Sequence, residues 1–98
     1  MTGDEIIGRL REHEPELRRL GIERLALFGS MARHDERLGS DIDLLASFEE
    51  TRPLSLLDIV HLENVLSDLL GCKVDLVEER VLKPRIREHV ERDAIRAF

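Results

Sequence analysis

Residues 28–45 read FGSMARHDERLGSDIDLL, and the assignment of fold and chemistry turns on this stretch. A Gly-Ser pair (Gly29, Ser30) is followed by ten residues and then an Asp-x-Asp (Asp41, Asp43). On its N-terminal side Leu25-Ala26-Leu27-Phe28 is an apolar run suited to a strand buried on both faces. On its C-terminal side Asp41 to Phe48 alternates, with Ile42 and Leu44 on one face and Asp41 and Asp43 on the other. Glycine at 29 permits an unusual backbone conformation and close approach of a ligand. Ser30 to Arg33 then reads as the first turn of a short helix, whose free amides favour phosphate. Ser30 adds a hydroxyl there, and Arg33, one turn into that helix, reads equally as a contact to a triphosphate or as a surface arginine. Two carboxylates two apart on one strand project to the same side. Hard oxygen ligands of that kind suit Mg²⁺, which combines one or two carboxylates with waters and phosphate oxygens.

Outward from this stretch, the chain is regular. Thr2 and Glu5 form a capping signature for a first helix over about 4–13, and Pro15 opens a second over 15–20, stopped by Gly21. Ser55 with Asp58 caps a leucine-rich helix over 56–70, closed by Gly71. Its apolar residues exceed one narrow stripe, so the helix is central to the core or shared with a partner. Lys73 to Glu78 (KVDLVE) is a third strand, setting Val74 and Leu76 opposite Asp75 and Val77. Asp75 repeats the apolar-acid-apolar pattern and supplies a third acid if its strand pairs beside the second. A last helix starts near Pro84, with Ile86, Val90, Ala94 and Phe98 a turn apart. The fold expected is α/β (α+β): one domain over 1–98, with a small mixed sheet of about three strands flanked by helices.

Composition narrows the function. A formal charge of −6 without a basic run argues against direct nucleic-acid binding and against an anionic membrane surface. No apolar run approaches the roughly 20 residues of a membrane span, and the N-terminus is unlike a signal peptide. The single cysteine, Cys72, excludes an intrachain disulfide, fits a reducing cytoplasmic location and reads as packing filler. His13, His34, His61 and His89 form no metal-spacing motif. The cationic C-terminal segment (Lys83, Arg85, Arg87, Arg92, Arg96) is interleaved with acids and reads as a solvated helix face.

Gly29-Ser30, ten residues, then Asp41-x-Asp43 resembles the signature of the DNA polymerase β-like nucleotidyltransferases. FGSMAR…SDIDLL followed by KVDLV is similar to the minimal nucleotidyltransferase (MNT) group over nearly the whole chain. One departure is His34, where such sequences commonly carry glycine. The resemblance implies that ATP binds over the Gly-Ser turn and that Mg²⁺ bridges it to Asp41 and Asp43. It also implies that Asp75 lies near the attacking hydroxyl as third acid. It further implies a HEPN-domain toxin as partner, neutralised by transfer of AMP to a tyrosine. Two alternatives stand beside it: an antitoxin acting by occlusion alone, and a small-molecule transferase of the aminoglycoside type. The chain is short of any acceptor-holding segment, which favours an acceptor presented by a partner.

Overall fold

The computed structural model describes residues 2–29, 41–51 and 54–98. Helices α1 (Gly3–Glu12) and α2 (Glu14–Arg19) precede strand β1 (Ile22–Phe28). Strand β2 (Ile42–Phe48), helix α3 (Leu56–Leu70), strand β3 (Val74–Glu78) and a 3₁₀ turn (Glu79–Val81) follow, then helix α4 (Pro84–Asp93) and a two-residue strand β4 (Ile95–Arg96). The four strands form one mixed sheet in the order β3-β2-β1-β4. β1 runs antiparallel to β2 and β4, and β2 runs parallel to β3 with α3 as the crossover.

Local chemistry accounts for the elements. The Thr2 hydroxyl accepts a hydrogen bond from the Glu5 amide, capping α1. Pro15 falls in the first turn of α2, where its missing N–H has no partner to lose. At α3 the expected capping box is complete: the Ser55 hydroxyl accepts from the Asp58 amide, and the Asp58 carboxylate accepts from the Ser55 amide at 2.9 Å. Gly71 then ends the helix in the left-handed conformation, φ 73°.

One sheet face carries the core. Ile6, Leu10 and Leu17 of the first two helices and Leu62, Leu66 and Leu70 of α3 bury against Leu27, Leu44, Ala46, Val74 and Leu76. Each fully buried leucine contributes about 1.5–3 kcal/mol. The breadth of apolar sequence in α3 is divided in space. Its Leu62-Leu66-Leu70 stripe fills the core, whereas Leu56 and Leu57 in the first turn are 79% and 80% exposed.

Two expectations are corrected. The sheet has four strands rather than about three, because the last helix stops at Asp93 instead of continuing to Phe98. Residues 95 and 96 pair with β1, so Ala94 and Phe98 are not successive turns of one helical stripe, and Arg96 lies on a strand rather than a helix face. The physical reason is the free edge of β1. Its Leu25 amide donates to the Phe98 carbonyl, and the Ala97 amide donates to the Leu25 carbonyl at 2.8 Å, while Ala97 and Phe98 become buried. Arg11 clamps the returning chain, its Nε donating to the Ala97 carbonyl at 2.8 Å and its Nη2 to the Arg96 carbonyl at 3.2 Å. The Arg18 guanidinium lies 5.0 Å from the centre of the Phe98 ring, a cation–π contact. β1 also begins earlier, at Ile22.

Candidate active site

Strand pairing decides which acids meet. In the parallel β2–β3 ladder Asp43 is the direct partner of Asp75. Paired residues on neighbouring strands point to the same face about 4.8 Å apart. Here that face is the one opposite the core, since Ile42, Leu44, Val74 and Leu76 are buried on the other. The register is set from both sides. The Ile42 amide donates to the Lys73 carbonyl at 3.0 Å, and the Val74 amide donates to the Ser67 hydroxyl at 3.1 Å. The second bond ties the start of β3 to the last turns of α3, so the helix cap and the position of Asp75 are coupled.

Gly29 closes the third side. Phe28, at the end of β1, is the antiparallel partner of Asp43, and Gly29 follows it with φ 77°. A side chain at residue 29 would overlap the Asp43 carboxylate: a Cβ built there collides with Oδ2 and comes within 3.3 Å of Cγ. Glycine is needed here for two reasons, the left-handed backbone and the room that it leaves for an acid. Ser30, Arg33 and His34 lie outside the described residues, as do the short helix expected after Gly29 and the loop that follows it.

Asp41 stands one residue before β2, and its carboxylate is 44% exposed. Its Oδ2 lies 3.8 Å from the Lys73 ammonium. Asp43 is more enclosed. Burial first, then the negative charge of Asp75, then that of Asp41, holds its pKa above the ordinary carboxylate value. Each cause penalises the ionised form, so the three acids form a cluster of like charge centred on Asp43.

Whether such a cluster fits a divalent cation can be read from its donors. Among the described residues no set of three His, Cys, Asp or Glu side chains is gathered tightly enough to enclose a metal by itself. Mg²⁺ does not require such a cage, since it keeps several waters and takes one or two carboxylates together with phosphate oxygens. The Asp43–Asp75 pair, whose mutual repulsion a cation would relieve, fits that mode of binding.

Cavities among the described residues lie elsewhere. One of about 190 Å³ is lined by Ala26, Leu45, Ser47, Ala94 and Phe98 among others; Leu45 and Ser47 follow Asp43 at spacing two and so share its sheet face. Another of about 660 Å³ lies toward the opposite end of the strands, lined by Arg24, Glu50, Glu79 and Arg80 among others. Those cations already meet acids, with Arg24–Glu79 at 3.9 Å and Arg80–Glu50 at 3.2 Å. That groove holds none of Asp41, Asp43 and Asp75.

The pairing of Lys73 with Asp41 was missed in the sequence, where Lys73 served only to start a strand. A cation two residues before the third acid was the available signal. Its meaning depended on a strand register that the sequence does not state.

Comparison with known proteins shows what the chain is similar to. The family model described as nucleotidyltransferase domain matches residues 10–97. The protein adenylyltransferase MntA of Thermococcus cleftensis is 41% identical over 96 residues, covering 97% of this chain and 95% of that protein. The solved structure of a predicted minimal nucleotidyltransferase superimposes with a TM-score of 0.79 at 47% identity, covering 97% of this chain and 95% of its own. The fold is shared more distantly with a Shewanella oneidensis complex of a tri-AMPylated HEPN toxin and its MNT antitoxin. There the TM-score is 0.60 at 23% identity, over 98% of this chain and 68% of that one.

Proposed function

The chain belongs to the nucleotidyltransferase domain family, and from that membership we propose that it is an antitoxin that moves AMP from ATP to a tyrosine of a HEPN-domain toxin. The observation that carries this reading is the Asp43–Asp75 pair on one sheet face, with Gly29 packed against Asp43. Named relatives support protein as the acceptor. The AMPylated HEPN toxin held by a protein of the same fold supports the partner. The exposed Leu56 and Leu57 offer an apolar surface for such a partner.

Each residue has a task in this reading. Gly29 and Ser30 are assigned to the triphosphate, and the bare Gly29 leaves room for the Asp43 carboxylate beside the turn. Asp43 and Asp75, with Asp41 beside them, would hold Mg²⁺. When bound, the ion supplies charge stabilisation at the attacking and leaving oxygens. Arg33 is assigned to the phosphates. The tyrosine oxygen attacks the α-phosphorus, forming a new P–O bond as the bond to the β-phosphate oxygen breaks, and pyrophosphate leaves. Asp75 accepts the phenolic proton.

The test is incubation of the purified chain with Mg²⁺, ATP and a candidate HEPN-domain partner, followed by intact-mass analysis. An AMP-sized gain on the HEPN protein, abolished by Asp43→Ala and by Asp75→Ala, is the expected result. Tight inhibitory binding with no mass gain would instead support occlusion, in which the exposed first turn of α3 does the neutralising and the acids are idle. A mass gain that survives Asp43→Ala would remove the assignment of the site.

A further inference from the structure

Resting on the nucleotidyl-transfer reading above, we propose that Lys73 is a nucleotide-binding residue. It pairs with Asp41 and would pass to the phosphate oxygens of ATP when nucleotide and Mg²⁺ bind at the acids. Three observations converge on it. First, position: Lys73 immediately precedes β3, two residues before Asp75, and its carbonyl accepts from the Ile42 amide, so its backbone is fixed between Asp41 and Asp43 on the neighbouring strand. Second, charge: among the described residues the Lys73 ammonium is the cation that meets these acids, 3.8 Å from Asp41 Oδ2. A nucleoside triphosphate brought to this cluster in a chain of net charge −6 adds several negative charges, and a nearby cation offsets them. Third, freedom: the Lys73 side chain is 73% exposed, so little packing has to break for it to move.

The geometry makes the exchange short. The Lys73 ammonium stands 3.8 Å from Asp41 Oδ2 on an exposed side chain, so rotation of that side chain would bring it to phosphate oxygens bound beside Asp41. Lysine acts on phosphate as a compact, mobile point charge. Without nucleotide the same ammonium would compete with a metal ion for Asp41, so Lys73 would oppose binding of the ion alone and favour binding of the ion together with nucleotide.

Lys73→Gln, Lys73→Arg and a control, Arg80→Gln at the far end of β3, distinguish this role from a structural or general electrostatic one. Two readouts on the full chain are needed: Mn²⁺ binding without nucleotide, by electron paramagnetic resonance, and binding of a non-hydrolysable ATP analogue with Mg²⁺, by calorimetry. Lys73→Gln is expected to bind Mn²⁺ alone about 2–5-fold more tightly, the range set by an exposed ion pair. It is expected to bind the nucleotide roughly 10-fold more weakly, as on losing one charged contact to phosphate. Lys73→Arg should recover most of the nucleotide affinity, and Arg80→Gln should change neither readout. Nucleotide affinity unchanged in Lys73→Gln, or lowered equally in Arg80→Gln, would overturn the proposal while leaving the transferase reading intact. Failure of the wild-type chain to bind the analogue at all would overturn both.

Discussion

Alanine at residue 29 separates the two reasons for glycine there, because residue 71 provides a matched control. Gly29 and Gly71 have nearly the same backbone, φ 77° and 73°. Their surroundings differ: a Cβ at residue 71 meets nothing within 4 Å, whereas one at residue 29 overlaps Asp43 Oδ2. Gly71→Ala should therefore lose only the left-handed strain, about 1–2 kcal/mol, or roughly 5–15 °C in Tm for a chain of this size. Gly29→Ala should lose that and the cost of turning the Asp43 carboxylate off its preferred rotamer, a further 0.5–1.5 kcal/mol or so. The oxygen must retreat by about 1 Å to restore ordinary contact, and a displacement of that size costs on the order of 10²-fold in rate. Thermal unfolding and initial rates of AMP transfer would measure both. In an Asp43→Ala background the clashing atoms are gone and only a 3.4 Å contact with the residue 43 Cβ remains, so the extra stability cost should vanish in a double-mutant cycle. Equal stability costs of Gly29→Ala in the two backgrounds, or Gly29→Ala as active as Gly71→Ala, would refute the packing of residue 29 on Asp43.

Other expectations follow from the same structure. Asp43 has a raised pKa in the folded chain, so its contribution to stability is present when it is protonated at low pH and is lost as pH rises through the folded value. Without metal, Asp43→Asn should accordingly have a higher Tm than wild type at neutral pH, and the difference should shrink as the solution is acidified below the folded pKa. A wild-type advantage at neutral pH would contradict it. Leu66→Ala, at a fully buried position, should lose about 2–5 kcal/mol. Leu57→Asp, at an exposed one, should change stability by no more than about 0.5 kcal/mol yet abolish co-purification with a co-expressed HEPN partner; equal recovery of that partner would show the patch idle. Arg11→Ala removes both hydrogen bonds to the Arg96 and Ala97 carbonyls and should lose about 1–3 kcal/mol, with faster amide exchange at Ala97 than at Leu44.

The sequence by itself determined every element whose signal is local. Thr2, Pro15, Ser55, Asp58 and Gly71 act within one turn of themselves, so the ends of α1, α2 and α3 were legible, and α3 falls on 56–70 as expected. Period-two alternation likewise placed Asp43 and Asp75 opposite Leu44 and Leu76. The nucleotidyltransferase signature was legible for the same reason, since its spacing lies in one continuous stretch. Only the tertiary structure decided what depends on residues far apart in the chain. The return of Ile95 and Arg96 to β1 was hidden because Val90, Ala94 and Phe98 keep a helical spacing, and an unpaired strand edge overrides that spacing without leaving a mark in it. The Asp43–Asp75 pairing and the meeting of Lys73 with Asp41 require the parallel register of β2 and β3, and the collision that keeps residue 29 a glycine requires the antiparallel register of β1 and β2. Register is fixed by the hydrogen-bonded ladder and by the length of the α3 crossover, and no single residue in either strand encodes it.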